Sequence, residues 1–248
     1  MRLPFAGIDG CRAGWFCVRL GEGDTWAFDL LEDSASISEL ARQSGCAFID
    51  IPIGLPGNDA GERQCDREAR RLLGPGRAAS VFPAPARQTL AAGSYREAVA
   101  CNRRLTGRGI SRQTWGIAPK LREVDRLLRA ERSLIGVLRE CHPEVALLGL
   151  NGGQAMADSK KTAAGREQRL AVLSRFFPAA TQLLARATAS FLRRQVAIDD
   201  IIDAMANAVL ARASRGRVRT LPACPPRDAH GIPVEMVYWI AGRDTAAV

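Results

Sequence analysis

The chain opens with an apolar run, Phe5-Ala6-Gly7-Ile8, that ends on Asp9 and passes through Gly10 and Gly14 into a second apolar run. That pattern predicts strand, tight turn and strand, since glycine reaches the backbone conformations such a turn demands. Phe16, Val18 and Leu20 alternate in the manner of a half-buried strand pairing back on the first. Thr25 to Leu31 is apolar enough for a third strand of the same meander, and Ser36 to Gln43 reads as a short helix with Ser34 or Ser36 as N-cap. From Ala47 to Ile51 the apolar run is unbroken, as in a strand buried on both faces, and Pro52 and Pro56 end it. A second acid, Asp50, therefore falls at the end of a second buried strand.

After Gly57 the texture becomes arginine-rich and helical as far as Arg132, clearest at Glu62 to Leu73 and Tyr95 to Leu105, with breaks at Gly74-Pro75-Gly76 and Val81-Phe82-Pro83-Ala84-Pro85. Residues 57–132 read as a helical insertion after the fourth strand, within a single domain spanning 1–248. Ser111 to Ala130 reads as a long helix kinked or restarted at Pro119. Strand character returns at Leu134 to Cys141, with Glu140 near its end and His142-Pro143-Glu144 closing it. Helices follow at Thr162 to Phe177 and Thr181 to Arg194, and Ile198 to Ala211 is the strongest helix of the chain. Its Ala204, Ala208 and Ala211 make a small-residue stripe that would let it lie close against a sheet. Arg217 to Leu221 and Val234 to Ile240 read as late edge strands, which gives an α/β protein.

Composition narrows the chemistry. At 248 residues the chain can bury a full core. Lys+Arg 35 against Asp+Glu 26 leaves a net charge of +9, mostly from arginine, whose planar fork suits phosphate, so a polyanionic partner fits. Seven cysteines (Cys11, Cys17, Cys46, Cys65, Cys101, Cys141, Cys224) are scattered without a C-x-x-C pair, so neither a zinc site nor a disulfide framework follows. The only histidines are His142 and His230, so any metal must be held by carboxylates, which favours Mg²⁺ or Mn²⁺. No apolar run is long enough to span a bilayer, and the expectation is a soluble, cytoplasmic protein with no membrane partner.

The candidate chemistry lies in the acids. Asp9 and Asp50 end two buried strands, and Asp200 and Asp203, three apart, project from one face at the first turn of the alanine-lined helix. Each has a plainer reading, Asp9 as a turn aspartate bonding its own loop and the pair as helix caps. Taken together they would converge on one point, where like charges repel and a cation is what makes the cluster tolerable.

The order of motifs carries a resemblance. Gly7-Ile8-Asp9-Gly10-Cys11-Arg12-Ala13-Gly14-Trp15, Asp50-Ile51-Pro52-Ile53-Gly54-Leu55-Pro56, Cys65-Asp66-Arg67-Glu68-Ala69-Arg70, Val81-Phe82-Pro83-Ala84-Pro85, Trp115-Gly116-Ile117-Ala118-Pro119-Lys120, Glu140-Cys141-His142-Pro143-Glu144 and Asp200-Ile201-Ile202-Asp203-Ala204 run through nearly the whole chain. Together they resemble the family called domain of unknown function 429, described as predicted RNase H-like nucleases. The resemblance implies a mixed five-stranded sheet flanked by helices, three antiparallel strands and then two parallel. It extends to Holliday-junction resolvases of the RNase H-like class, whose acids from the first strand, the fourth strand and the last helix bind two divalent metals. Carried over, Asp9, Asp50, Asp200 and Asp203 are the implied metal ligands, and with Glu140 the implied catalytic acids.

Around them, Arg12, Arg63, Trp115, His142, Glu144 and Lys161 are candidate substrate contacts. Lys160 and Lys161 would meet a phosphate or form a solvated basic turn, and His142 would orient substrate or close the strand. Trp115 and Phe82 would stack on bases or pack the insertion. Asp66 and Glu68 read as ion-paired, and Arg63, Arg67, Arg70 and Arg112 are expected to line the approach. Three functions compete: a metal-dependent nuclease acting on DNA or RNA, a non-catalytic RNase H-like binding or structural protein, and an actin-like phosphotransferase. The last would need Gly149 to Gly153 as its adenosine loop.

Overall fold

In a computed structural model, which describes residues 4–57 and 61–242, the strands are β1 (Phe5–Cys11), β2 (Gly14–Leu20), β3 (Trp26–Leu31), β4 (Cys46–Asp50) and β5 (Leu138–Glu140). They form one sheet in the order β3-β2-β1-β4-β5. β1, β2 and β3 pair antiparallel, whereas β4 lies parallel to β1 and β5 parallel to β4. This is the mixed sheet that the resemblance implied. The helices, in chain order, are α1 (Ser34–Gln43), α2 (Gln64–Leu73), α3 (Tyr95–Thr106), α4 (Arg112–Gly116), α5 (Ala118–Ala130), α6 (Pro143–Leu150), α7 (Ala163–Ser174), α8 (Ala180–Ser190) and α9 (Ile198–Ser214).

Strand alternation sorts the core into two layers. Phe5, Phe16, Val18, Leu20 and Phe48 face α6, α7, α8 and α9, while Ala6, Ile8, Trp15, Cys17, Ala47 and Ile49 face α1 and α5. β2 is therefore covered on both faces, not half-buried. α9 lies directly on β1, because a Cβ placed on Gly7 would stand 2.1 Å from the Ala204 carbonyl oxygen and 2.2 Å from the Ala208 nitrogen. The alanine stripe and Gly7 are two halves of one close contact.

Residues 57–132 do not pack only on themselves. α5 supplies Leu121, Val124 and Leu128 to the layer beneath the sheet. α2 shares a small cluster with Val145 and Leu148 of α6 and with Leu221, Val234 and Met236. The expected restart at Pro119 is present, with α4 ending at Gly116 and Pro119 in the first turn of α5.

Several expectations need correction. Neither Ser34 nor Ser36 caps α1; the Asp33 carboxylate accepts from the Ser36 N–H at 2.9 Å. β5 spans only three residues, since the chain before it turns through a 3₁₀ helix at Arg132–Leu134. The late strands β6 (Arg219–Leu221) and β7 (Met236–Tyr238) pair with each other in a separate two-stranded sheet and do not extend the main one. Helix α6 had no counterpart in the sequence pattern, because Pro143 to Leu150 is buried on every side and shows no amphipathic period.

Candidate metal centre

The parallel register of β1 and β4 pairs Asp9 with Asp50, so both carboxylates leave the sheet on the side facing α9. From Gly7 to Asp9 the strand advances roughly 6.6 Å, and four residues of helix advance about 6 Å, so α9 in contact with Gly7 near Asn207 brings Asp203 over Asp9. One oxygen from each of Asp9, Asp50 and Asp203 lies within 4.8 Å of the others. A hard cation with ligands at about 2.0–2.6 Å spans that separation. Asp9 also bonds its own loop, through Oδ1 accepting from the Gly10 N–H at 2.7 Å.

Asp200 stands apart from this trio. It sits one turn nearer the start of α9, and its Oδ2 accepts from the Ala197 N–H at 2.8 Å, so it caps the helix. Its charge still reaches Asp9. Burial, followed by repulsion from Asp50, Asp203 and Asp200, holds the Asp9 carboxyl well above the usual carboxylate range. Burial pushes Asp50 up to about 6, reinforced by Asp203 and opposed by the nearby Lys160. Asp203 is likewise raised by burial, against the pull of Lys160.

A cavity of about 560 Å³ opens above the trio. Gly76, Arg77, Phe82, Gln113, Ile117 and Lys120 line it from the 57–132 segment, and Ser159, Lys160 and Lys161 from the far side. Lys160 Nζ donates to Asp203 Oδ2 at 2.6 Å. Lys120 lies over the Trp15 ring at 4.4 Å and donates to the Gly14 carbonyl. It fits there because Gly10 has no side chain; a Cβ would come within 2.9 Å of its stem. His142 caps α6 by accepting from the Glu144 N–H at Nδ1, which leaves Nε2 to donate to the Ser80 carbonyl at 3.2 Å. The ring is thereby held as the Nε2 tautomer.

Glu144 tests whether the site suits a cation. It is buried and lines the same cavity, and its Oε1 accepts from Arg169. Its Oε2 is buried without a hydrogen-bond partner among the described residues, and its charge acts on both Asp50 and Asp203. An orphaned carboxylate oxygen beside three acids is costly unless a positive group meets it. The donors are all hard oxygens, which fits a hard divalent cation.

Other expected site residues stand apart from the trio, although Arg63, Asp66 and Glu140 also line the cavity. Register pairs Glu140 with Ile49, not with Asp50, so its carboxylate turns away from the trio. There it takes Arg63 at 2.7 and 2.8 Å and the Ile53 N–H at 2.6 Å. Arg63 is correspondingly buried, bridging Glu140 and Asp66, and so is no free substrate contact. Asp66 is ion-paired as expected, and also accepts from the Ala84 N–H at 3.1 Å. Arg12 is exposed on the β1–β2 turn, away from the cavity lining. Trp115 packs against the layer beneath the sheet, whereas Phe82 does line the cavity.

Of the arginines expected along the approach, only Arg63 lines the cavity, and it is held by Asp66 and Glu140. Arg70 pairs with Glu62, Arg112 lies over the Tyr95 ring, and Arg67 borders a separate cleft. Besides Arg63 and Arg77, both held by hydrogen bonds within the chain, the cavity's basic groups are lysines. Lys120, Lys160 and Lys161 are the only lysines of the 248-residue chain, and all three line it. That scarcity was the overlooked clue in the sequence. Gly149 belongs to α6 and packs on the Trp239 carbonyl, outside the cavity lining.

Fold and site define an α/β protein with a carboxylate-floored cleft. The chain belongs to the family described as Protein of unknown function (DUF429), which it matches over residues 7–227. No curated protein and no solved structure matches it. Among the described residues no helix is long and apolar enough to cross a membrane.

Proposed function

We propose that the protein is a divalent-cation-dependent hydrolase of nucleic-acid phosphodiester bonds, with Asp9, Asp50 and Asp203 holding the cation. The observation that carries this reading is the trio within 4.8 Å, joined in one cavity by the unpartnered Glu144 Oε2. Mg²⁺ or Mn²⁺ bound there would supply the charge that activates water and stabilises the leaving oxygen. Arg169 fixes Glu144 through Oε1, and Oε2 stays buried without a hydrogen-bond partner among the described residues. Lys161 and Lys120 offer the rim positive charge for phosphate oxygens, and Phe82 offers a ring for a base. His142 holds the start of α6, and with it Glu144, in place. In the reaction the oxygen of water bonds to phosphorus, one P–O ester bond breaks, and the water proton ends on the leaving oxygen.

The test is a panel of single-stranded, duplex, hybrid and branched DNA and RNA, assayed with each metal. Wild type should cut at least one substrate, and Asp9→Asn should abolish cutting with the circular dichroism spectrum unchanged, because asparagine cannot replace the shared negative ligand. The net charge of +9 should make nucleic-acid binding weaken steeply with salt. Binding without cleavage would favour the non-catalytic reading, which draws its support from Lys160 already neutralising Asp203 within the chain. Binding that ignores salt, or none, would remove nucleic acid as the partner.

A further inference from the structure

We propose that Lys160 is a displaceable internal counter-cation, which holds Asp203 while no metal is bound and passes to an anionic oxygen of the substrate once one is. This rests on the metal-centre reading above and assigns a residue that exchanges between its two states. The Lys160 ammonium bonds the same carboxylate, at 2.6 Å, that a cation shared by the trio needs. The two partners differ in freedom: the Asp203 side chain is 4% exposed and fixed on α9, whereas that of Lys160 is 40% exposed. Its backbone is anchored on both sides, by Arg77 donating to the Met156 and Ala157 carbonyls and by Thr162 Oγ1 donating to the Ser159 carbonyl. An exchange therefore needs only the four-carbon stem to swing, with the loop in place.

The released ammonium has a destination. Ser159 and Lys161 line the same wall, and the Lys161 ammonium has no partner among the described residues. Two lysines on one wall of the cavity that holds the trio offer a seat for a phosphate oxygen. The identity of the residue also fits. In a chain where nearly every basic residue is arginine, a lysine stands here, and a compact point charge leaves a carboxylate more readily than a bidentate fork.

Isothermal titration of Mn²⁺ into wild type, Lys160→Met, Lys160→Arg and Asp9→Asn tests the exchange. Lys160→Met should bind Mn²⁺ about tenfold tighter or more, since a unit charge at contact distance opposes the metal strongly even when screened. Lys160→Arg keeps the charge and should show no gain, and Asp9→Asn should bind Mn²⁺ weakly. With Mn²⁺ saturating, Lys160→Met should bind inorganic phosphate about tenfold more weakly than wild type, the loss of one charge-assisted contact. Equal or weaker Mn²⁺ binding by Lys160→Met, with wild type binding normally, would overturn the exchange and leave the metal centre standing. Phosphate affinity untouched by Lys160→Met would overturn the second half, in which the lysine passes to the substrate. If wild type and Asp9→Asn alike bind no Mn²⁺, the metal-centre reading fails and the exchange falls with it.

Discussion

Replacing Asp50 with asparagine should make the metal-free protein more stable at neutral pH, although it removes a residue of the site. Burial lifts the Asp50 carboxyl from its ordinary 3.8 to about 6, with Asp203 adding to it and Lys160 offsetting part of it. At about 1.4 kcal/mol per pKa unit the difference is worth roughly 3 kcal/mol. Cavity water screens some of it, so about 1–3 kcal/mol is the expected range. The sign follows from proton counting. Between pH 3.8 and about 6 the folded protein holds a proton that the unfolded chain has released, so stability falls as pH rises through that window. Asp9 and Asp203, also raised, act in the same direction.

Urea unfolding of wild type and Asp50→Asn in the presence of a chelator, from about pH 4 to pH 8, measures the effect. The two curves should converge at the acid end, where Asp50 is protonated and resembles asparagine, and separate by about 1–3 kcal/mol near pH 7.5. Parallel profiles, or a variant less stable than wild type at neutral pH, would refute the claim that the trio is a repelling cluster. Mn²⁺ should then reverse the order, since a cation at about a thousand times its dissociation constant adds roughly 4.1 kcal/mol to the protein that binds it.

Two further outcomes follow from packing. Gly7→Ala should lower stability by about 3 kcal/mol or more, because its Cβ would meet α9 backbone at 2.1 Å and neither partner can give; the melting temperature reads this, and an unchanged value would refute the contact. Arg63→Met should cost about 3–5 kcal/mol, because Asp66 and Glu140 would be left buried without their cation; a loss under about 1 kcal/mol by urea unfolding would show the triad to be expendable.

The sheet and most of the acid trio were legible because both follow from local rules. Apolar runs that stop on an acid put Asp50 at the end of β4 and Asp9 opposite it, two residues before the end of β1, and the alanine stripe marked the helix that covers them. What the sequence could not supply was phase. Whether Glu140 joins the trio depends on β5 pairing Glu140 with Ile49, a register fixed by its neighbour and invisible in the strand itself. Asp200 and Asp203 share a helix face, yet three residues of helix amount to about 4.5 Å, enough to put one over Asp9 and turn the other to a cap. Glu144 comes near the trio only because α6 follows β5 at once, and α6 is too uniformly apolar to announce itself.

Charge was the misleading quantity. A net +9 suggested arginines around the cleft, but an arginine's five donors suit it to stationary work. Arg63 shows this, binding two carboxylates and the Ile53 carbonyl at once, and so tying α2 to the end of β5 and the start of the segment after β4. Arg77 and Arg169 do likewise, one fixing the Met156–Ala157 backbone and the other fixing Glu144. A guanidinium so engaged cannot move to a ligand without leaving several buried groups unpaired. The three lysines carry fewer fixed contacts: Lys120 bonds one carbonyl, Lys160 one carboxylate, and the Lys161 ammonium has no partner among the described residues. Their placement around the acids therefore divides the basic residues of the cleft into arginines that hold it and a small set of lysines free to respond to what enters it.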